Sequence, residues 1–350
     1  MLAEIIEKIA GFEAKGSQYY PRPSLAGPER CLRQLVYMAK GIPGKKKEDR
    51  FHLILDDSSW HEELTLDWLR KSAFKVHSEQ LEIECGTVKW KGRDFPLKGH
   101  IDGIITDVQG KDYLLEHKAI NHFSFQRYLE KDYPLDYLTQ CCLYIVGLQK
   151  LNPEINEGIL LIKNKNTSQY LEFRLHYDSK NDILYVPEVC GSNGYRREGT
   201  IFKNLYNSAI ERLNQIEHYC NVNDLPPRQY TLNDWQCNYC PYNEICYENY
   251  QEEFNQLEAI QLSEDYQSLL EEYEVLNEQK KIAEQRLEEI KEELKKILLN
   301  ANAKAGKIGA FTITRNIQLR KQINKDKIPP ELIPVIYEEK LFETLTIKKQ

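Results

Sequence analysis

The sequence predicts an α/β fold built on a central sheet, and three observations carry that reading. Short alternating apolar and polar runs, Leu81–Cys85, Leu97–Ile101, Tyr113–Lys118 and Tyr170–Leu175, have the pattern of strands half-buried on a sheet. The run Gly158–Lys163 is apolar almost throughout, as in a strand covered on both faces. Helical patterns precede and separate these runs, giving the order helix, strands, helix, strand.

The elements follow in chain order. Leu2, Ile5, Ile6, Ile9 and Phe12 mark a short amphipathic helix over residues 1–15. After the proline-marked loop Tyr20–Ser24, Pro28 starts a helix that carries Cys31–Tyr37 and breaks at Gly41, Pro43 and Gly44. Beyond Lys45–Lys47 a helical pattern runs through Leu53, Leu55, Trp60, His61, Leu64, Trp68 and Leu69. Leu81–Cys85 and Thr87–Trp90 read as two strands. Leu97–Asp102 and Tyr113–Lys118 then pair as a hairpin across the turn Asp107–Asp112. A polar bridge with Phe123, Phe125 and Tyr128 leads to Pro134, which opens a helix carrying Tyr137, Gln140, Cys141, Tyr144, Ile145 and Leu148. A further helix is expected over Thr200–Tyr219, ended by Asp224–Arg228.

Composition bounds the function. The 350 residues suffice for one large elaborated domain or two, and 41% hydrophobic with 29% charged residues describes a soluble globular protein. No apolar run approaches the ~20 residues that span a bilayer, and Met1–Lys8 lacks a signal-peptide core, so a cytoplasmic protein without a membrane partner is expected. A net charge of −7 is not that of a simple DNA-coating protein, but an enzyme that gathers acidic metal ligands needs no global positive charge. Residues 301–350 hold ten Lys and Arg against five Asp and Glu, a local basic balance.

The hairpin concentrates chemistry. Glu116 and Lys118, two apart on a strand, project to the same face, and the pairing brings Asp102 beside them. Two carboxylates can hold a hard cation such as Mg²⁺, and a lysine there can orient or activate the attacking water of phosphodiester hydrolysis. Gln140 and Tyr144 lie at i and i+4 on one helix face. Lys163, ending the apolar strand, is read either as a residue near a phosphate or as a snorkelling edge residue.

Nine cysteines in such a chain point to ligands or buried thiols rather than disulfides. Cys237, Cys240 and Cys246 form a C-x2-C-x5-C run whose thiolates can face one centre, and spacing alone does not separate zinc from an iron-sulfur cluster. From Leu262 to Ile297 a 4-3 apolar spacing lasts about five heptads, a long helix with a narrow seam that needs a partner. Gly309–Arg315 reads as a strand, followed by a basic segment (Arg320, Lys321, Lys325, Lys327) and a last strand from Phe342 to Ile347.

The order Gly99-x-x-Asp102, Asp102-x13-Glu116-x-Lys118 and Gln140-x3-Tyr144 resembles the PD-(D/E)XK nuclease superfamily, in particular its RecB-like branch. That resemblance implies a restriction-endonuclease-like αβββαβ core. It implies Mg²⁺ or Mn²⁺ held by Asp102, Glu116, His61 and the backbone carbonyl of His117. Lys118 would act on water, with Gln140 and Tyr144 orienting the strand. The segment Trp235-x-Cys237-x2-Cys240-Pro241-x4-Cys246, with Cys31 far upstream, is similar to the 4Fe–4S staple of such nucleases, including AddB-type subunits and the CRISPR-adaptation family. It implies a structural cluster on Cys31, Cys237, Cys240 and Cys246, with zinc the alternative. The long helix, the strand after it and the basic tail resemble phage recombination nucleases of the YqaJ and lambda-exonuclease kind.

Together these resemblances imply a DNA exonuclease acting on single- or double-stranded ends in recombination, replication or repair, in a bacterial or phage-infected cell. The alternative is a non-catalytic DNA-binding scaffold with a structural metal centre on the four cysteines. The expected organisation is a nuclease domain over 1–250, the helix over 251–300 with a homo-oligomer or recombination partner on residues 262–297, and a basic, β-containing tail over 301–350.

Overall fold

The structure, a computed structural model, describes residues 2–13, 18–46, 48–260 and 263–317. The predicted basic segment from Arg320 and the strand from Phe342 lie outside them. Of the described residues, those up to Glu248 form one compact unit and those from Asn249 another.

In the first unit, α1 (Leu2–Glu13), α2 (Leu32–Ala39) and α3 (Arg50–Arg70) precede β1 (Lys75–His77), β2 (Glu82–Trp90), β3 (Arg93–His100), β4 (Gly103–Thr106) and β5 (Asp112–Ile120). Next come α4 (His122–Glu130), α5 (Leu135–Gln149), β6 (Glu157–Asn164), β7 (Tyr170–Asp178), β8 (Ile183–Gly191), β9 (Tyr195–Lys203) and α6 (Leu205–Asn221). Two short helices, α7 (Trp235–Asn238) and α8 (Asn243–Cys246), complete it. Seven strands form one mixed sheet in the order β1-β4-β5-β6-β7-β8-β9, and β2 with β3 makes a separate hairpin. All pairs in the large sheet are antiparallel except β5 with β6, which α4 and α5 connect as a crossover.

Alternation along β5 gives the sheet two different faces. Leu114 and Ile120 enter the large core with Leu138, Cys141 and Ile145 of α5. Leu115 enters a smaller core with Leu66 of α3 and Ile105. Helix α5 therefore lies on the face of Glu116 and Lys118, and α3 on the face of His117. Gly99 lets β3 pass close to α5: a Cβ there would come within 2.8 Å of the Tyr144 ring and 3.1 Å of Pro23.

Several boundaries differ from expectation. The predicted hairpin exists as β4 and β5, with Gly103 opposite Leu115 and Thr106 opposite Asp112. Its earlier arm instead pairs with β2, Gly99 opposite Ile83, so the chain changes sheets at Ile101 and Asp102. The turn is the expected one. The Asp107 carboxylate accepts the backbone N–H groups of Gln109 and Lys111, each at 2.9 Å, and Gly110 takes φ +85°. Leu81–Cys85 and Thr87–Trp90 merge into one strand, bulged between Glu84 and Gly86. Thr200 and Ile201 belong to β9, opposite Val186 and Tyr185, because the free edge of β8 pairs them before a helix can begin. On α3 only Thr65 and Leu66 are buried, while Trp60 and Trp68 of the predicted apolar stripe are exposed.

The second unit holds α9 (Tyr250–Asn255), α10 (Gln267–Asn300) and a hairpin of β10 (Ala305–Ile308) and β11 (Phe311–Thr314). Leu269, Tyr273, Leu276, Leu287, Ile290 and Ile297 of the α10 seam are all exposed. Among the described residues no helix is long and apolar enough to cross a membrane.

Candidate active site

The switch of the chain from β3 to β4 sets Asp102 at the mouth of β5, where its Oδ2 accepts the His117 backbone N–H at 2.7 Å. Glu116 is fully buried. Its Oε1 accepts from the Lys118 ammonium and from Gln140 Nε2, the latter at 2.8 Å. Gln140 also donates to the Tyr144 hydroxyl at 3.1 Å. The other oxygen, Glu116 Oε2, is buried and has no hydrogen-bond partner. Asp102, Glu116, Lys118, Gln140 and Tyr144, spread over more than forty residues, thus form one contiguous cluster. The Lys118 nitrogen also lies 5.7 Å from the centre of the Tyr137 ring.

Burial dominates the electrostatics. It pushes the Glu116 carboxyl up to about 8, against the pull of Lys118 and with a further push from Asp102 and Glu62. It also raises Asp102, although Lys118 and the His117 N–H favour the carboxylate. Burial works against the Lys118 ammonium, but Glu116 and Asp102 outweigh it and hold that group above its ordinary range.

Glu62 is the residue that sequence reasoning missed. Burial and the nearby Asp102 push its carboxyl up to about 7, with Lys118 opposing and the Gln80 amide donating to it at 3.2 Å. Neighbouring positions on a helix point about 100° apart, and His61 accordingly faces other groups. Its Nε2 is 3.7 Å from Asp57, and burial, Lys163 and Lys165 all favour its neutral form. The acidic pair Glu62-Glu63 beside His61 was the available signal. Three carboxyls, one with an orphaned oxygen, therefore face a single ammonium. An oxygen-rich, under-compensated set of this kind suits a hard divalent cation.

The His117 side chain points to the α3 face. Its Nε2 lies 3.2 Å from Thr65 Oγ1, which is 3.0 Å from the Tyr170 hydroxyl and donates to the His61 carbonyl at 2.8 Å. The Thr65 hydroxyl thus links the His117 ring, the Tyr170 hydroxyl and the His61 carbonyl.

The four predicted cysteine ligands line one small cavity with Arg33, Tyr37, Tyr230 and Tyr247. Cys31 stands at the start of α2, and the others on α7, α8 and the turn between them. Burial raises the thiols of Cys237, Cys240 and Cys246, Cys240 to about 11, and in each case Cys31 adds to the rise. Arg228 donates to the Cys246 carbonyl at 2.7 Å. Among the described residues no three His, Cys, Asp or Glu side chains are grouped as they are around a single metal ion.

A family model of the PD-(D/E)XK nuclease superfamily matches residues 17–247. No curated protein matches the sequence. Among solved structures, one described as "Crystal structure of SSO0001" is similar at 13% identity and a TM-score of 0.39, over 70% of this chain and 96% of that one. The matched segment takes in both the carboxylate–lysine cluster and the cysteine cavity and amounts to about two thirds of the sequence, and the chain belongs to the PD-(D/E)XK nuclease superfamily.

Proposed function

We propose that the chain is a Mg²⁺- or Mn²⁺-dependent DNA exonuclease that hydrolyses phosphodiester bonds at DNA ends in recombination, replication or repair. The observation that carries this reading is the orphaned Glu116 Oε2, a buried oxygen of a carboxyl on which Asp102, Glu62 and Lys118 all act electrostatically. Asp102, Glu116 and Glu62, with the His117 carbonyl that the family resemblance implies, supply the oxygens. His61, which the family resemblance implies as a further ligand, has its Nε2 3.7 Å from Asp57. The cation, when bound, supplies charge stabilisation for the pentacovalent phosphorus and lowers the pKa of an attacking water.

The remaining roles belong to the chain. Lys118 stays protonated, so it positions the water and the phosphate oxygens as a hydrogen-bond donor and does not act as the base. Both amide hydrogens of Gln140 are taken by Glu116 and Tyr144, so Gln140 orients the carboxylate rather than the DNA strand. For the cysteines we favour a 4Fe–4S cluster over zinc. The four cysteines line one cavity, and the two cysteine elements flank the nuclease motifs in the order of the staple that the resemblance implies. The cluster ties the start of α2 to a segment about two hundred residues later, which makes it a folding staple. The exposed seam of α10 supports an oligomer or partner contact.

Digestion of end-labelled linear DNA beside a covalently closed circle tests the exonuclease reading. Loss of the linear species with survival of the circle is expected. Equal cutting of both would make the protein an endonuclease.

A further inference from the structure

On the sheet face opposite Glu116 and Lys118, a buried lysine stands without an acid. Lys163 is paired across the parallel ladder with Ala119, one residue beyond Lys118. It is only 2% exposed. Its ammonium lies 5.5 Å from the centre of the Tyr170 ring, and no described residue forms an ion pair or hydrogen bond with it. Burying a cation without an acceptor is costly, and in folded proteins such charges are usually paired.

The surroundings add positive charge instead of removing it. Lys165 lies two residues on, held by Ser58 Oγ at 2.6 Å and the Ile54 carbonyl at 3.0 Å, with Asp57 at 3.8 Å. His61 stands at the rim, its side chain 20% exposed. His61 shares Asp57 with Lys165, its Nε2 3.7 Å from that carboxylate and the Lys165 nitrogen 3.8 Å from it. The group sits where the parallel strands β5 and β6 end, the Lys165 N–H bonded to the Ile120 carbonyl at 2.9 Å. In open α/β sheets ligands are bound at the carboxyl ends of such strands.

We propose that Lys163, flanked by Lys165 and His61, is an anion subsite that takes a backbone phosphate of the bound nucleic acid, distinct from the phosphate at the carboxylates. The assignment rests on the nuclease reading. Lys118 and Lys163 stand on opposite faces near the same, carboxyl ends of β5 and β6, so a strand hydrolysed beside Lys118 brings a neighbouring phosphate to Lys163 by crossing that end of the sheet.

The test measures binding of a short single-stranded DNA in Ca²⁺ as salt is varied, followed by cleavage in Mn²⁺, for the wild type, Lys163→Met and Lys163→Arg. Lys163→Met keeps the apolar stem. It is expected to weaken binding roughly tenfold at low salt and to reduce the salt slope by about one. Turnover at saturating DNA should stay within a few-fold, and Lys163→Arg should restore affinity. A methylphosphonate scan, neutralising one linkage at a time, should find one sensitive linkage besides the cleaved one in the wild type and lose it in Lys163→Met. An unchanged salt slope with identical scans overturns the subsite while leaving the nuclease reading intact. If Lys163→Met does not fold, the wild-type scan decides alone, and a profile without a second sensitive linkage overturns the proposal. A wild type that neither binds nor cuts DNA removes the nuclease reading and the subsite with it.

Discussion

The Gln140 amide holds Glu116 Oε1 at 2.8 Å and leaves Glu116 Oε2 buried without a partner. One oxygen is thus fixed in place by the protein, and the other is left for a ligand that the side chains do not provide.

This arrangement has a pH signature. Glu116 titrates near 8 in the metal-free fold, above its ordinary carboxylate range, so the folded state binds this proton more tightly than the unfolded chain. The associated stability is fully present below the unfolded pKa and is lost as pH rises through about 8. Melting in chelator should therefore show Tm falling from about pH 5 to about pH 8, with Mn²⁺ raising Tm more at the upper end. In Glu116→Gln both trends should flatten.

Glu62 should matter more than its neighbour. Glu62→Gln is expected to weaken Mn²⁺ binding on the order of 10- to 100-fold, as loss of a metal-site carboxylate or its support does. His61→Gln should cost less metal affinity. Calorimetric titration of both variants with Mn²⁺ checks the order, and the reverse ranking would return His61 to the ligand set.

Cys240→Ala should lose bound iron, the visible absorption of a cluster and much of the thermal stability together, because the proposed staple would close a loop of about two hundred residues. Metal analysis of anaerobically purified protein separates the two possible centres. Zinc without iron would replace the cluster with a mononuclear site, and unchanged metal content in the variant would remove Cys240 from the ligands.

Much of the site was legible in the sequence because strand chemistry is local. The period of two on β5 puts Glu116 with Lys118, and the Asp107–Gly110 turn fixes the hairpin that carries them. Gln140 and Tyr144 were legible as one helix turn. The α3 contribution was not, because a single-position difference rotates a side chain by about 100°, and only packing of Thr65 and Leu66 on the sheet decides which of His61 and Glu62 faces Asp102. The strand β9 was hidden for a related reason. Ile201, Leu205 and Leu213 fit a helical stripe, but pairing with β8 claims the chain through Lys203. On α1 and α3 the apolar stripes are largely exposed, since only contact with the sheet, which periodicity does not report, buries a helix face.

The α10 seam leads to a hydrodynamic expectation. Leu276 and Leu287 are each 55% exposed, and a seam of such residues on one long helix is stabilised by a second helix. Sedimentation of the full chain should show a concentration-dependent oligomer that Leu276→Asp with Leu287→Asp converts to monomer without loss of nuclease activity per chain.

The most direct test is cleavage of an end-labelled DNA strand in Mn²⁺ by the wild type, Lys118→Ala and Glu116→Gln, all confirmed as folded. The carboxylate–lysine cluster predicts that the wild type degrades the strand and that each variant loses at least about 100-fold in rate, the scale of removing one preorganised group from a transition state. A wild type that binds Mn²⁺ but leaves the DNA intact, or variants that cut as fast as the wild type, would contradict it.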